Sequence, residues 1–168
     1  AMSNRHAFAL PGDGPVERPD LPWDLSHLAL DVALDLDAGA VQGSVTWTCA
    51  PRRPDPGPLT LDAQALDVSS VTLANGEKVE WHNDGRRLEL QLPAAPSVVT
   101  IHYTAQPTRG LHFIRPDEAY PDKPRQVWSQ GQDSDHHHWF PCVDHPAVRF
   151  TQELAITVDT GLTVLSNG

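Results

Sequence analysis

The sequence predicts an all-β fold, an antiparallel-rich β-sandwich or saddle-shaped curved sheet. Three observations point there. Apolar and polar residues alternate with period two through most of the chain, turn chemistry recurs about every 8–12 residues, and no stretch carries the 3.6-residue period of an amphipathic helix. Sixteen Pro and eleven Gly against a single Met also argue against a helical bundle. A chain of 168 residues suits one domain and can bury roughly 70% of its unfolded surface.

Residues 1–22 are Pro-rich and aperiodic, and are expected to lie as an irregular lead across the surface; residues 23–168 form the β domain. From Ser26, Leu28, Leu30, Val32, Leu34 and Leu36 share one face, with His27, Asp31, Asp35 and Asp37 on the other. After Asp37-Ala38-Gly39 the alternation resumes as Val41, Gly43, Val45, Trp47 and Cys49, which predicts an antiparallel hairpin. Pro51–Pro58, half of it proline, reads as a loop. Strands are predicted at Leu59–Asp62, Ser69–Leu73, Lys78–His82, Arg87–Leu92 and Val98–Tyr103, with Asn75-Gly76 and Asp84-Gly85 as hairpin turns. Gln106–Arg125 carries four Pro around one strand-like run, Gly110–Ile114; strand character returns at Val127–Gln130 and Thr151–Asp159. Ser166-Asn167-Gly168 is a turn with no strand after it, so the β domain is expected to stop short of its last strands.

The net charge of −10 excludes the basic footprint that nucleic acid or an anionic membrane requires. No run of 18 apolar residues is present to span a bilayer. The first residues hold no apolar signal-peptide core, and two cysteines are too few for a disulfide framework, so a cytoplasmic setting with buried free thiols at Cys49 and Cys142 is expected. None of the nine His is followed by Glu, which removes the His-Glu-x-x-His zinc motif; a Gly-x-Ser-x-Gly elbow and a phosphate-cradling glycine loop are missing too. No catalytic residue is assigned within the segment.

Gln126–Glu153 stands apart. Its 28 residues hold two Trp, two Phe, four His and two Pro between segments of plain strand character. Ordering such a loop is costly and is offset by function or packing. Gln130 and Gln132 alternate around Gly131 at the predicted end of a strand, so both amides are expected to point the same way. Read from the residues alone, they are edge amides saturating backbone groups or ligands for a bound molecule. In extended backbone only His136 and His138 of the His136–His138 run share a face, and a metal would need a further ligand from Asp144 or His145; a polar strand or loop that packs one imidazole and exposes the others is expected, with no metal bound. Trp128 is expected in a buried strand, Trp139 and Phe140 against the sheet or a neighbouring domain, and Asp144 holding a turn through an Asx-type bond.

The spacing Gln130-Gly131-Gln132, then Trp139-Phe140-Pro141-Cys142-Val143-Asp144-His145-Pro146, then Arg149-Phe150-Thr151-Gln152-Glu153 resembles the N-terminal domain of M1-family zinc aminopeptidases, relatives of aminopeptidase N and leukotriene A4 hydrolase. Val41-Gln42-Gly43-Ser44-Val45-Thr46, Gly110-Leu111-His112-Phe113 and the terminal Ser166-Asn167-Gly168 fit the same pattern. The resemblance implies a β domain that caps the cleft of a catalytic domain further along the same polypeptide. That domain would hold zinc and cleave peptides at the N-terminus. The match to Gln132, with Gln130 beside it, implies a role in receiving the substrate's free α-amine. Where commoner members carry Glu at 132, a neutral amide accepts from an ammonium without a charge of its own. A free-standing β-sandwich binding module, using exposed Trp and His around 128–145, is the competing expectation.

Overall fold

A computed structural model describes residues 20–166; the first nineteen residues of the expected lead, and the Asn167-Gly168 end of the terminal turn, lie outside it. Ten strands form three sheets. β1 (Trp23–Asp35), β2 (Ala40–Pro51), β4 (Asp67–Leu73), β7 (Ser97–Ala105) and β10 (Thr151–Thr157) make a five-stranded sheet in the order β10-β1-β2-β7-β4. β3 (Leu59–Asp62), β6 (Arg87–Leu90) and β5 (Trp81–Asn83) make a second sheet, and β8 (Leu111–Ile114) pairs with β9 (Gln126–Ser129). The fold is all-β, as expected, with one 3-10 turn at His136–His138. No helix among the described residues is long and apolar enough to cross a membrane.

β1 and β2 pair along nearly their whole length, from Trp23↔Pro51 to Asp35↔Ala40. The turn between them is set by the Asp35 carboxylate, which accepts from the amides of Asp37 and Ala38, and by Gly39 at φ +67. Gly43 is needed for a different reason: a Cβ there would sit 2.1 Å from the Asp31 carbonyl oxygen and 2.7 Å from the Val32 Cα. Only a hydrogen at that position lets the two backbones approach.

The strand begins earlier than its alternation indicates. Trp23 and Leu25 are buried at odd positions, Leu28, Leu30 and Val32 at even ones, because a bulge between Leu25 and His27 switches the parity. A second bulge, between Val68 and Ser70, does the same in β4. Bulges let one strand keep its apolar set inward while the sheet twists.

The core lies between the two larger sheets. Val41, Val45 and Trp47 of β2 and Val99 and Ile101 of β7 join Leu61 of β3 and Leu88 and Leu90 of β6 in one cluster, each of them fully buried. The Asp84-Gly85 hairpin forms as predicted; Asp84 accepts from the amides of Arg86 and Arg87, and these bonds hold its carboxyl below the usual carboxylate range. The strand predicted at Lys78–His82 is shorter. Lys78 makes a single bridge to Thr72 before the chain crosses to the second sheet, where pairing starts at Trp81.

Cys49 and Cys142 are buried free thiols. Burial pushes Cys49 up to about 11 from an ordinary 9.0, and pushes Cys142 up as well, with help from the charges of Asp144 and Asp62. Folding therefore favours the neutral thiols. The Cys49 contribution to stability is complete below pH 9.0 and is lost as pH rises through about 11. Iodoacetamide at pH 8 is expected to label both thiols about 100-fold more slowly in the native protein than in urea; equal rates in the two would contradict this burial.

Candidate functional site

The aromatic- and His-rich stretch packs against the β8–β9 hairpin and the edge of β3. Two close-packed glycines and two backbone hydrogen bonds set its course. Gly110, at φ +76, lies where a Cβ would meet the Asp135 carbonyl oxygen at 2.0 Å. Gly131 lies under the His136 ring, whose Nε2 would be 1.9 Å from an added Cβ. The Gln130 amide donates to the Gly110 carbonyl at 2.9 Å, and the Asp135 amide to Gly131 at 3.1 Å. The neighbour at Gly131 is thus an imidazole of the same loop.

The His run departs from the expectation of one packed and two exposed imidazoles. It forms a 3-10 turn in which His136, His137 and His138 are all half-buried. Asp144 organises that turn. Its Oδ2 accepts from the His137 amide at 3.0 Å and from His137 Nδ1 at 2.8 Å, so the bond reaches seven residues back rather than closing an Asx turn on its own segment. The Asp144 amide in turn donates to Asp62 Oδ2 at 3.1 Å, while Asp62 and Cys142 exchange backbone bonds of 2.7 and 3.1 Å. The Gln64 amide donates to the His137 carbonyl. Together these bonds bolt the loop to β3. Burial lowers His138, the neighbouring His137 charge adds to that, and Asp135 opposes it.

Phe140 is buried and Trp139 half-buried, as expected of a pair packed on the sheet. Trp47 Nε1 donates to the Pro141 carbonyl at 3.0 Å, and its ring meets Phe150 edge-on at 4.9 Å. Trp128 departs from expectation. It is 47% exposed and stacks on His112, its cross-strand partner, at 4.4 Å.

β9 ends at Ser129, so Gln130 and Gln132 follow the strand instead of finishing it; both are exposed. Beside them runs an apolar groove of about 490 Å³, floored by the inner faces of β1 and β10 and flanked by β9, His136 and Trp139. Gln126, Trp128 and Ser129 line it; Gln130 and Gln132 stand beyond its lining. What the pair offers chemically is two uncharged acceptors on a loop whose backbone is fixed by Gly110 and Gly131. Among the described residues no three His, Cys, Asp or Glu side chains converge to hold a metal.

Sequence reasoning missed Asp62, 82 residues from its partner Asp144, and Arg125. Arg125 reaches Asp37 at 2.9 Å and Asp159 at 3.2 Å, tying the β8–β9 loop to two turns at one end of the main sheet. Neither has a local signal. The His112–Trp128 pair had one: both residues flank the hairpin at matching positions.

Comparison with known proteins matches residues 24–168 to the Peptidase M1 N-terminal domain family. A leukotriene A-4 hydrolase homolog from Botryotinia fuckeliana is 26% identical over 159 residues, 87% of this chain and 24% of that protein. Transcription initiation factor TFIID subunit 2 from Gallus gallus is 37% identical over 65 residues, 38% of this chain and 6% of that protein. The M1 zinc metallopeptidase structure from Deinococcus radiodurans superposes with a TM-score of 0.64 at 23% identity, covering 83% of this chain and 33% of the other. The chain thus spans about a quarter of the leukotriene A-4 hydrolase homolog it resembles. With the family's domain matched over all but the first residues, the chain belongs to the M1 peptidase N-terminal domain family.

Proposed function

We propose that this domain is the cleft-capping N-terminal part of a longer zinc aminopeptidase of cytoplasmic setting, and that Gln130 and Gln132 receive the free α-amine of a peptide substrate. The zinc and the hydrolytic residues belong to a catalytic domain further along the same polypeptide. The observation that carries this reading is the family match through Gln130-Gly131-Gln132, in a chain that spans about a quarter of a hydrolase homolog.

The arrangement supports it physically. Gly110 and Gly131 hold the loop backbone against Asp135 and His136, so the amides start from a fixed base rather than a free tip. A carboxamide oxygen accepts from an ammonium less strongly than a carboxylate does, and so binds the amine without a buried charge to desolvate. The full-length polypeptide is expected to hydrolyse aminoacyl anilides with a free amine, to leave their N-acetylated counterparts intact, and to lose activity to a chelator and regain it with zinc. Equal cleavage of both substrates, or no metal dependence, would contradict the reading.

The half-exposed Trp128 and the short match to a TFIID subunit favour a second reading, a β-sandwich interaction module. A full-length protein without peptidase activity that retains a partner through the Trp128 face is what that reading expects.

A further inference from the structure

The His136 ring stands where a side chain at position 131 would. A Cβ built on Gly131 falls 1.9 Å from the ring's Nε2, and 2.2 and 2.4 Å from Cε1 and Cδ2. Gly131 is not among the glycines with positive φ, so an alanine there meets no left-handed penalty; the obstacle is the imidazole. The pair is reciprocal: one residue has given up its side chain, and the other, five positions on, fills the space.

The ring is not free to swing aside. It packs on Phe140 at 5.8 Å and on Trp139 at 6.4 Å between centroids, and those two rings meet edge-on at 4.6 Å. The His136 carbonyl accepts from the amides of Trp139 and Phe140 at 3.0 and 3.2 Å. Its Nδ1 is buried with no hydrogen-bond partner, which costs free energy rather than contributing it. Packing therefore holds the imidazole under Gly131, and its shape is what the loop uses. Gly131 lies between the two residues whose amides are placed at the site, so the ring sets the backbone from which both extend.

We infer that His136 is a positioning residue for amine recognition, acting through Gly131 on Gln130 and Gln132. The inference rests on the reading that these two amides receive the substrate's α-amine. Uncharged acceptors hold an ammonium less strongly than a carboxylate would. Ordering a loose loop at the moment of binding would offset much of that attraction, so a loop fixed beforehand matters more here. His136 touches no substrate in this account.

Gly131→Ala, His136→Ala and the double variant test it as a cycle. In the 168-residue chain, the Asp135 amide, which bonds to the Gly131 carbonyl, is expected to exchange hydrogen about tenfold faster in Gly131→Ala. In the full-length polypeptide, KM for an aminoacyl anilide with a free amine is expected to rise about tenfold in the same variant, with kcat within about twofold. The double variant is expected to be less impaired than either single one by both readouts, because the methyl enters the space the ring vacates. His136→Phe, which keeps the ring's shape without its nitrogens, is expected to recover most of what His136→Ala loses. Losses that simply add in the double variant, or a His136→Phe as impaired as His136→Ala, overturn the proposal. Gln132→Ala, assayed beside these, reports on the amine reading. If it leaves KM unchanged, that reading fails and the positioning role fails with it. If it raises KM while Gly131→Ala and His136→Ala do not, the reading stands and the positioning role alone falls. Should Gly131→Ala not fold, His136→Ala against His136→Phe decides by the same readouts.

Discussion

Trp47→Ala is expected to cost about 3–5 kcal/mol, much of the 5–15 that a domain of this kind possesses. Trp47 is fully buried in β2, opposite Leu28 of β1 and Val99 of β7. Its removal empties the centre of the core. Its indole also donates to the Pro141 carbonyl and meets Phe150 edge-on, so the same change unfastens the His-rich loop from the sheet. Trp47→Phe separates the two effects. It keeps most of the ring volume but leaves the Pro141 carbonyl unpaired, for an expected loss of about 1–3 kcal/mol. Urea denaturation of the two variants checks this; a Trp47→Ala loss below about 1 kcal/mol would mean that the centre of the core relaxes around the gap.

Gly110→Ala is the second large effect, and it acts at the site. An alanine at φ +76 meets the left-handed penalty of about 1–2 kcal/mol. It also drives a methyl to 2.0 Å from the Asp135 carbonyl oxygen and 3.1 Å from Trp139 Cδ1. The obstacle is backbone, so something must shift, at about 1–3 kcal/mol more. A matched comparison is Gly85→Ala, where φ is +87 and the space is open. That variant should show the conformational cost alone. Under the proposed function, Gly110→Ala in the full-length polypeptide is also expected to reduce turnover of free-amine substrates, because Gln130 hangs from the Gly110 carbonyl. Equal stability losses for the two glycine variants, from denaturation curves, would contradict the steric account.

Much of the fold was legible because its determinants are local. Alternation from Leu28 to Leu36, the Asp-Gly turn at 84–85 and the Gly39 turn each specify their structure within a few residues. What was not legible depends on partners far along the chain. The parity switches at the two bulges follow from sheet twist, and nothing in Ser26 or Ser69 announces them. The parallel pairing of β10 with β1 joins residues such as Leu30 and Leu154, and no turn signal connects them. At the site, the His run read as one packed imidazole beside two exposed ones. Asp144 instead pulls His137 into a 3-10 turn, and Asp62, 82 residues away in sequence, anchors Asp144 from the edge of β3. The two glutamines were expected to finish a strand; their placement after β9, exposed and beyond the groove lining, was not legible.

The central functional claim concerns those glutamines. Steady-state kinetics of the full-length polypeptide, as the proposed aminopeptidase, and of its Gln132→Ala variant, on an aminoacyl anilide with a free amine, test it most directly. Loss of a hydrogen bond to a charged amine is worth about 1.5–3 kcal/mol, so kcat/KM should fall about 10- to 150-fold. Unchanged steady-state constants in the variant would contradict the assignment of α-amine recognition to this domain.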